Sequence, residues 1–403
     1  MNLRNNYIPH LYHLILVIVI LYGVNNYFFE RTLFFNELLS VIGFCFFIKR
    51  IFKKPLQFSF LEKAWFFFIF INILQLFLSW NSKTNLYFYL RNSVILYSSF
   101  SIWIGYYTFP YFSDFFQKVK FFLVGYALVF LSMKEYLWVD RFSLNVFFPL
   151  FFLKNNFGIL QKLGILVSCL AYLLLSPSAT TLLVAIVCAL IFLIPSQKIL
   201  MLFTSIFFAL FVSFFIYVSP YLAKYKEGGQ CCLYGNIYAV TNSHPVFQID
   251  ANSTWRLVVW YKALTERFPE YIIGIGYGTP LFSYQEGMHV QYYEGMHQYS
   301  PKGDAKYEVH VSGLHNTFLT LILRLGFLCI IFFVGIYAHI FSFFYQYNKT
   351  LKENGLINFF ISFFIISTIG SVNLLLESPT YASLYWIFLG LIIIIIRNFK
   401  HER

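Results

Sequence analysis

The strongest candidate for chemistry in this chain is a histidine at the boundary between a polar segment and an apolar run. His315 is followed directly by Asn316, and Gly326 comes after nine further residues. An imidazole has a pKa near neutrality and can take a proton from a hydroxyl group, so His315 is a candidate general base or hydrogen-bond donor. The alternative is a histidine at the membrane interface whose ring nitrogens form hydrogen bonds with neighbouring groups and which has no catalytic role. Arg324 lies roughly 13 Å further along a straight helix and points to the opposite side, so it should face the protein interior or reach toward the membrane surface.

Two arginines lie on an upstream segment with a helical pattern. Residues 254–267 read as an amphipathic helix in which Arg256, Trp260, Ala263 and Arg267 share one face. A guanidinium pairs well with phosphate oxygens, but the two arginines are roughly 16 Å apart along the helix and should not grip one diphosphate together. The alternative is an interfacial helix whose arginines contact lipid headgroups.

The next segment is rich in glycine. Gly274, Gly276 and Gly278 alternate in the stretch PEYIIGIGYGTP, and such a turn lets the backbone approach a ligand closely. It is not a dinucleotide fingerprint, because no βαβ unit surrounds it. An ordinary loop turn is the alternative.

A short near-repeat follows the glycine-rich segment. Glu286 and His289 recur as Glu294 and His297, a combination that would suit a divalent metal. The simpler interpretation is a short duplication in a variable loop, and we predict no metal. Cys231 and Cys232 are adjacent, so no structural bridge between them is inferred.

The composition identifies the elements that must position these residues. The chain has 403 residues, of which 59% are hydrophobic and only 11% charged, with 53 Phe and 31 Tyr. A soluble domain carries about 25% charged residues, so the composition excludes a soluble enzyme, a disordered chain and a disulfide-stapled secreted domain. It predicts an all-α integral membrane protein.

Apolar stretches of spanning length predict about twelve transmembrane helices. They fall near residues 11–29, 33–48, 58–79, 92–112, 120–138, 141–153, 158–175, 180–195, 199–219, 315–342, 356–375 and 380–397.

The distribution of Lys and Arg predicts the orientation of these helices. The connections after the even-numbered helices and the C-terminal tail are basic, whereas the opposite short loops carry fewer cations; the basic positions are Lys49, Arg50, Lys53, Lys54, Lys118, Lys120, Lys154, Lys198, Lys349, Lys352, Arg397, Lys400 and Arg403. By the positive-inside rule both termini are cytoplasmic. The net charge of +12 is then explained by orientation and phosphate partners, and no nucleic acid is needed.

One polar connection is much longer than the others. We divide the chain into transmembrane helices over 1–219, a large external loop over 220–314, and the last helices with a cytoplasmic tail over 315–403. Long loops are usually functional, so the site is expected in this external loop, which is periplasmic if the cell is Gram-negative.

In order, these segments resemble the O-antigen ligase and polymerase superfamily. Arg256 with Trp260 resembles the family's Arg-containing segment, GIGYG after Pro269 resembles its Pro…Gly-x-Gly turn, and His315-Asn316-x9-Gly326 resembles the ligase signature. Two departures occur. Cys329 stands where the signature has Gly, Thr or Tyr, and residues 176–180 lack the Arg of the family's Ser-Arg pair, a contact that Arg141 or Arg267 would have to replace.

The resemblance implies glycan transfer at the periplasmic face of a bacterial inner membrane. The donor would be a glycan on undecaprenyl diphosphate, and no cofactor would be required because the leaving group is already a lipid diphosphate. His315 would be the base or acceptor-orienting group and Arg256 the diphosphate ligand. Secondary substrate-binding candidates are Asn316, Arg267, His310, Arg324 and Gly276.

The acceptor separates the functional alternatives. A ligase transfers to the lipid A core in lipopolysaccharide biosynthesis, whereas a polymerase uses another lipid-linked repeat unit and would work with a chain-length regulator. One large external loop favours the ligase. A related transferase with another acceptor, such as pilin, is a further alternative. A lipid-linked glycan transporter is a fourth, but it predicts internal repeats and midplane charges that the sequence lacks.

Overall fold

The computed structural model describes part of the chain. The described residues are 4–24, 35–53, 57–80, 86–132, 210, 213–214, 216–217, 236–238, 245–248, 260–261, 263–265, 269–278, 283–284, 309–310, 316–372, 376–377 and 381–401.

The described part is helical apart from four short strands. The helices are α1 (Arg4–Val24), α2 (Phe35–Phe52), α3 (Phe60–Leu78), α4 (Leu86–Asn92), α5 (Val94–Tyr97), a 3₁₀ turn (Ser98–Ser101), α6 (Ile102–Ser132), α7 (Thr317–Leu325), α8 (Leu328–Glu353), α9 (Ile357–Val372) and α10 (Ala382–His401). The strands β1 (Asn236–Tyr238) and β2 (Pro245–Gln248) form one antiparallel pair, and β3 (Ser283–Tyr284) and β4 (Val309–His310) form another.

Three of the described helices are long and apolar enough to cross a membrane. They are Phe60–Leu78, Leu328–Leu351 and Ala382–Phe399. Shorter apolar helices occur at Pro9–Ile20 and Ile357–Ser371. The chain is therefore a helical membrane protein, as the composition predicts. The predicted helices near 141–153, 158–175 and 180–195 lie outside the described residues, so the count of twelve stays a prediction.

Two predicted helix boundaries are wrong. The predicted connection between 112 and 120 does not exist, because α6 runs unbroken for 31 residues, about 46 Å at the usual rise. Polar residues alone do not end a helix, and Asp114 and Lys118 have a spacing compatible with one. The predicted helix at 315–342 is instead two helices, because Gly326 adopts φ +82° between α7 and α8.

The chain forms two compact units, each described here by itself. The first comprises residues 1–72, 93–197 and 332–403, and the second comprises 73–92 and 198–331. The predicted division at 219 and 314 follows membrane placement instead and stays a prediction.

The first unit is built around close helix crossings. A Cβ on Gly105 of α6 would overlap the Ile387 carbonyl of α10, and a Cβ on Gly390 would overlap the Ile102 carbonyl. Small residues at such crossings let two backbones come into direct contact, which is how membrane helices gain packing energy. Near this crossing, the buried Ser383 donates to Asn36 Oδ1 at 2.6 Å and Ser101 donates to Ser383 at 2.9 Å.

One end of the first unit contains Arg50 and Arg397 and is called the basic end here. The contacts at this end agree with part of the predicted topology. Glu62, at the start of α3, lies 3.0 Å from Arg50 near the end of α2 and 3.8 Å from Arg397 near the end of α10. These three helix ends therefore lie on the same side, as the positive-inside pattern requires.

Candidate functional site

The start of α7 is fixed by the asparagine of the His-Asn motif. Asn316 is the N-cap residue, and its Oδ1 accepts a hydrogen bond from the Leu319 N–H at 3.0 Å. Its carbonyl oxygen accepts from both the N–H and the hydroxyl of Thr320. An asparagine is a preferred cap because its side chain satisfies a free N–H of the first turn. Asn316 thus sets where the helix begins, directly after His315, which lies outside the described residues.

The end of α7 is fixed by the glycine of the same motif. Gly326 has a positive φ, and its N–H donates to the Ile322 carbonyl at 2.8 Å. A Cβ on Gly326 would lie 2.6 Å from the Ile273 carbonyl oxygen. Glycine is required here both for the combination of positive φ with a ψ of 177° and for this close approach. The spacing from Asn316 to Gly326 is therefore the length of one short helix with its two caps.

The glycine-rich segment is hydrogen-bonded directly to the last turn of α7. The Ile275 N–H donates to the Leu323 carbonyl at 2.7 Å, and the Gly276 N–H donates to the Arg324 carbonyl at 2.9 Å. Gly274 has φ +91°, and a Cβ there would lie 2.5 Å from the Arg324 carbonyl oxygen. The glycines thus allow direct contact between the two backbones. The glycine-rich segment and α7 are held together as one structural piece.

The side chain of Arg324 completes this connection. It is fully buried, and its Nη1 donates to the Gly276 carbonyl at 2.8 Å. This confirms that Arg324 faces the protein interior. A cation in the last turn of a helix also interacts favourably with the helix dipole.

The neighbouring tyrosine is electrically neutral. Tyr277 is completely buried, and this burial raises the pKa of its phenol far above the usual value, although the nearby Arg324 guanidinium acts in the opposite direction. Tyr277 is therefore not a general base at physiological pH.

Three polar residues that the sequence analysis did not select hold the other side of the glycine-rich segment. Gln75 Nε2 donates to the Ile273 carbonyl, Ser79 Oγ accepts from the Tyr277 N–H at 3.1 Å, and Asn92 Nδ2 donates to the Tyr277 carbonyl at 2.8 Å. A signal was present in the sequence, because Gln75 and Asn92 are polar residues at the edges of apolar runs, where such residues usually have partners.

The main-chain N–H groups of the segment are already used. Those of Gly274, Ile275, Gly276 and Tyr277 donate to Glu270, Leu323, Arg324 and Ser79 respectively. The segment therefore acts as a support for α7, and these four groups do not form a phosphate-binding turn. Substrate binding by Gly276 stays a prediction.

Part of the predicted amphipathic helix lies within the described residues. Residues 260–261 and 263–265 are helical. Trp260 and Ala263, assigned to one face, are both buried, whereas Leu264 and Thr265 are exposed. The Tyr271 hydroxyl donates to the Ala263 carbonyl and links this helix to the glycine-rich segment. Arg256 and Arg267 lie outside the described residues, so their roles stay predictions.

The structure describes only some of the other candidate residues in the loop. His310 is in β4, opposite Ser283 of β3, so this strand pair closes the segment that contains the near-repeat. Glu286, His289, Glu294 and His297 lie outside the described residues. Among the residues that the structure describes, no cluster of His, Cys, Asp and Glu suits a metal.

A comparison with known protein families gives a match. The family described as O-antigen ligase matches residues 163–334, a range that contains Arg256, the glycine-rich segment and the His-Asn motif. No curated protein and no solved structure matches the chain. The match confirms the resemblance to the O-antigen ligase and polymerase superfamily and supports a function of that general type.

Proposed function

We propose, from the match of residues 163–334 to the O-antigen ligase family, that this chain is a glycosyltransferase of the bacterial inner membrane. It transfers a glycan from undecaprenyl diphosphate to an acceptor sugar at the periplasmic face. The acceptor is the lipid A core, so the reaction is the O-antigen ligation step of lipopolysaccharide biosynthesis.

The observation that carries this proposal is the hydrogen bonding between the glycine-rich segment and α7. Ile275 and Gly276 bond to Leu323 and Arg324, so two of the three motif segments of the resemblance are one structural piece. A short helix held at both ends, with its N-cap directly after His315, is a rigid support for a catalytic side chain.

His315 acts as the base in this proposal. Its imidazole takes the proton of an acceptor hydroxyl as that oxygen attacks the anomeric carbon of the donor. The bond between the anomeric carbon and the diphosphate oxygen breaks, and undecaprenyl diphosphate leaves as an anion. The imidazolium then returns its proton to solvent.

The departing diphosphate requires a cation at the membrane surface. Arg256 supplies it in this proposal, with Arg267 or Arg141 as the second contact, because a guanidinium pairs with phosphate oxygens bidentately. The donor already contains an activated phosphate bond, so the reaction needs no nucleotide, cofactor or metal. Arg324 and Asn316 support the site from within α7, whereas His310 in β4 is a candidate contact to the acceptor.

Replacement of His315 tests this assignment. His315→Ala should lose at least about a hundredfold in transfer rate, the usual contribution of a positioned base, while the protein still inserts into the membrane. His289→Ala, in the same loop, is the matched control and should retain transfer. Full transfer by the His315→Ala protein, measured with a lipid-linked donor and purified core acceptor, would contradict the proposal.

A polymerase is the second candidate, because the family match supports both activities. Deletion of the gene followed by gel analysis of the lipopolysaccharide separates them. Loss of all O-antigen with accumulation of long lipid-linked polymer indicates the ligase. A core that carries a single repeat unit indicates the polymerase, which would then act on a lipid-linked acceptor with a chain-length regulator.

A further inference from the structure

The basic end of the first unit contains a buried ion pair between Arg50 and Glu62. Both carboxylate oxygens of Glu62 accept hydrogen bonds, Oε1 from Arg50 Nε at 3.0 Å and Oε2 from the Ser59 N–H at 2.7 Å. Arg50 also donates to the Gln57 carbonyl at 2.6 Å and is almost completely buried. Arg50 and Glu62 therefore form an internal pair that is not available to a ligand.

Two cations remain beside this pair, one on each side of two adjacent tyrosines. Lys49 Nζ donates to the Tyr12 hydroxyl at 3.3 Å and lies 5.1 Å above the Tyr107 ring. Arg397 donates to the Tyr106 hydroxyl and is only 3.8 Å from the already bonded Glu62. The Tyr106 and Tyr107 rings are 5.3 Å apart. Within the described part of the chain, Lys49 has no carboxylate partner.

Lys49 also ends an exposed apolar row of α2. Val41, Cys45 and Lys49 follow one another at four-residue intervals, and all three are exposed. Phe44 and Ile48 lie beside this row with 45% and 39% of their surfaces exposed. The row from Val41 to Lys49 is about 12 Å long, so an acyl chain could lie along it with its headgroup at the lysine.

We propose that Lys49 binds the phosphate of an anionic phospholipid whose acyl chain lies along Val41, Phe44 and Ile48, and that the nearby Arg397 adds positive charge to the headgroup region. The predicted cytoplasmic position agrees with this occupant, because the leaflet there carries anionic lipids and basic pockets between membrane helices bind their headgroups. An unpaired lysine at the end of an apolar helix face reaches the headgroup region without being buried. The proposal is independent of the glycan-transfer activity.

The test measures lipid bound to the purified full-length protein. Native mass spectrometry with phosphatidylglycerol against phosphatidylcholine should show selective retention of phosphatidylglycerol. Lys49→Gln should weaken this binding about fivefold, which corresponds to the ~1 kcal/mol that one basic residue contributes near an anionic surface. Arg397→Gln should have a smaller effect, because Arg397 also lies 3.8 Å from Glu62. Lys49→Arg should retain binding.

The matched control is Lys349→Gln, because Lys349 is an exposed lysine near the end of α8 on the same predicted side. It should bind phosphatidylglycerol as the unaltered protein does. Equal retention by the Lys49→Gln protein, with its thermal unfolding temperature unchanged, would overturn the proposal. Displacement of the lipid by inorganic phosphate would assign the cations to a soluble anion instead. A dimer that dissociates only in Lys49→Gln would assign the surface to a second copy of the chain. Displacement by inorganic phosphate and this dissociation would each overturn the proposal as well.

Discussion

Gly276 and Arg324 are 48 residues apart in the chain and exchange two hydrogen bonds. The Gly276 N–H donates to the Arg324 carbonyl at 2.9 Å, and Arg324 Nη1 returns a bond to the Gly276 carbonyl at 2.8 Å. The exchange uses both main-chain groups of the glycine. A buried cation is stable only with such partners, so the pair depends on the arginine and the turn being present together.

Replacement of Arg324 should therefore loosen α7 from the glycine-rich segment. Arg324→Leu removes the donor and leaves the buried Gly276 carbonyl without it, which should lower the unfolding free energy by about 1–3 kcal/mol. Arg324→Lys retains the charge but replaces the planar guanidinium with a compact ammonium group, so its stability should lie between those of the Leu variant and the unaltered chain. Thermal unfolding in detergent measures the order of stability of the three proteins. An Arg324→Leu protein as stable as the unaltered chain would exclude a role of Arg324 in holding α7 to the glycine-rich segment.

Two glycine substitutions should have opposite outcomes. In Gly276→Ala the new Cβ would overlap the Ser79 side chain at a φ of +70°, and the two effects together should cost about 3 kcal/mol. In Gly335→Ala the Cβ would meet only Phe60 Cζ at 3.8 Å inside α8, and the change should be neutral or stabilise by up to ~1 kcal/mol.

The unfolding temperatures of the Gly276→Ala and Gly335→Ala proteins test this prediction. The double variant Gly276→Ala/Ser79→Gly should lose less stability than the sum of the two single variants, because Ser79→Gly removes the overlap but leaves the strained φ. Losses that simply add would show that the overlap with Ser79 does not contribute.

Substitution of Asn316 should separate capping from substrate contact. Asn316→Ala removes the bond to the Leu319 N–H and should cost about 1 kcal/mol, whereas Asn316→Asp keeps an acceptor and also suits the positive end of the helix dipole. If capping is the role of Asn316, transfer activity should follow stability, with Asp close to Asn and well above Ala. An Asp variant that is stable but inactive would instead indicate direct contact of the amide with substrate.

Loss of the buried carboxylate should destabilise the first unit. Glu62→Gln leaves the Arg50 cation buried without its counter-ion, which should cost about 3–5 kcal/mol. Glu353→Gln, at the exposed end of α8, removes the same charge from a solvated position and should change stability by less than ~0.5 kcal/mol. Equal unfolding temperatures for the two variants would show that the Arg50–Glu62 pair is not important for folding.

Several elements were predictable because their signals are local. The apolar runs that became α3, α9 and α10 have spanning length and are bounded by polar residues, which is sufficient to predict a membrane helix. The His-Asn-x9-Gly spacing resembles the family signature. In the structure it corresponds to a short helix that begins after the N-cap Asn316 and ends at Gly326.

Composition, periodicity and motif order are properties of short segments, so they are sufficient to predict a helical membrane protein that resembles the O-antigen ligase family. The contacts between distant segments come from the fold. It continued α6 through a polar stretch, ended α7 at Gly326, and surrounded the glycine-rich segment with Gln75, Ser79 and Asn92. The physical reason is that a polar group can form a hydrogen bond with many different partners. Its actual partner is a residue that the fold brings close, such as Asn36 for Ser383, 347 positions away in the chain.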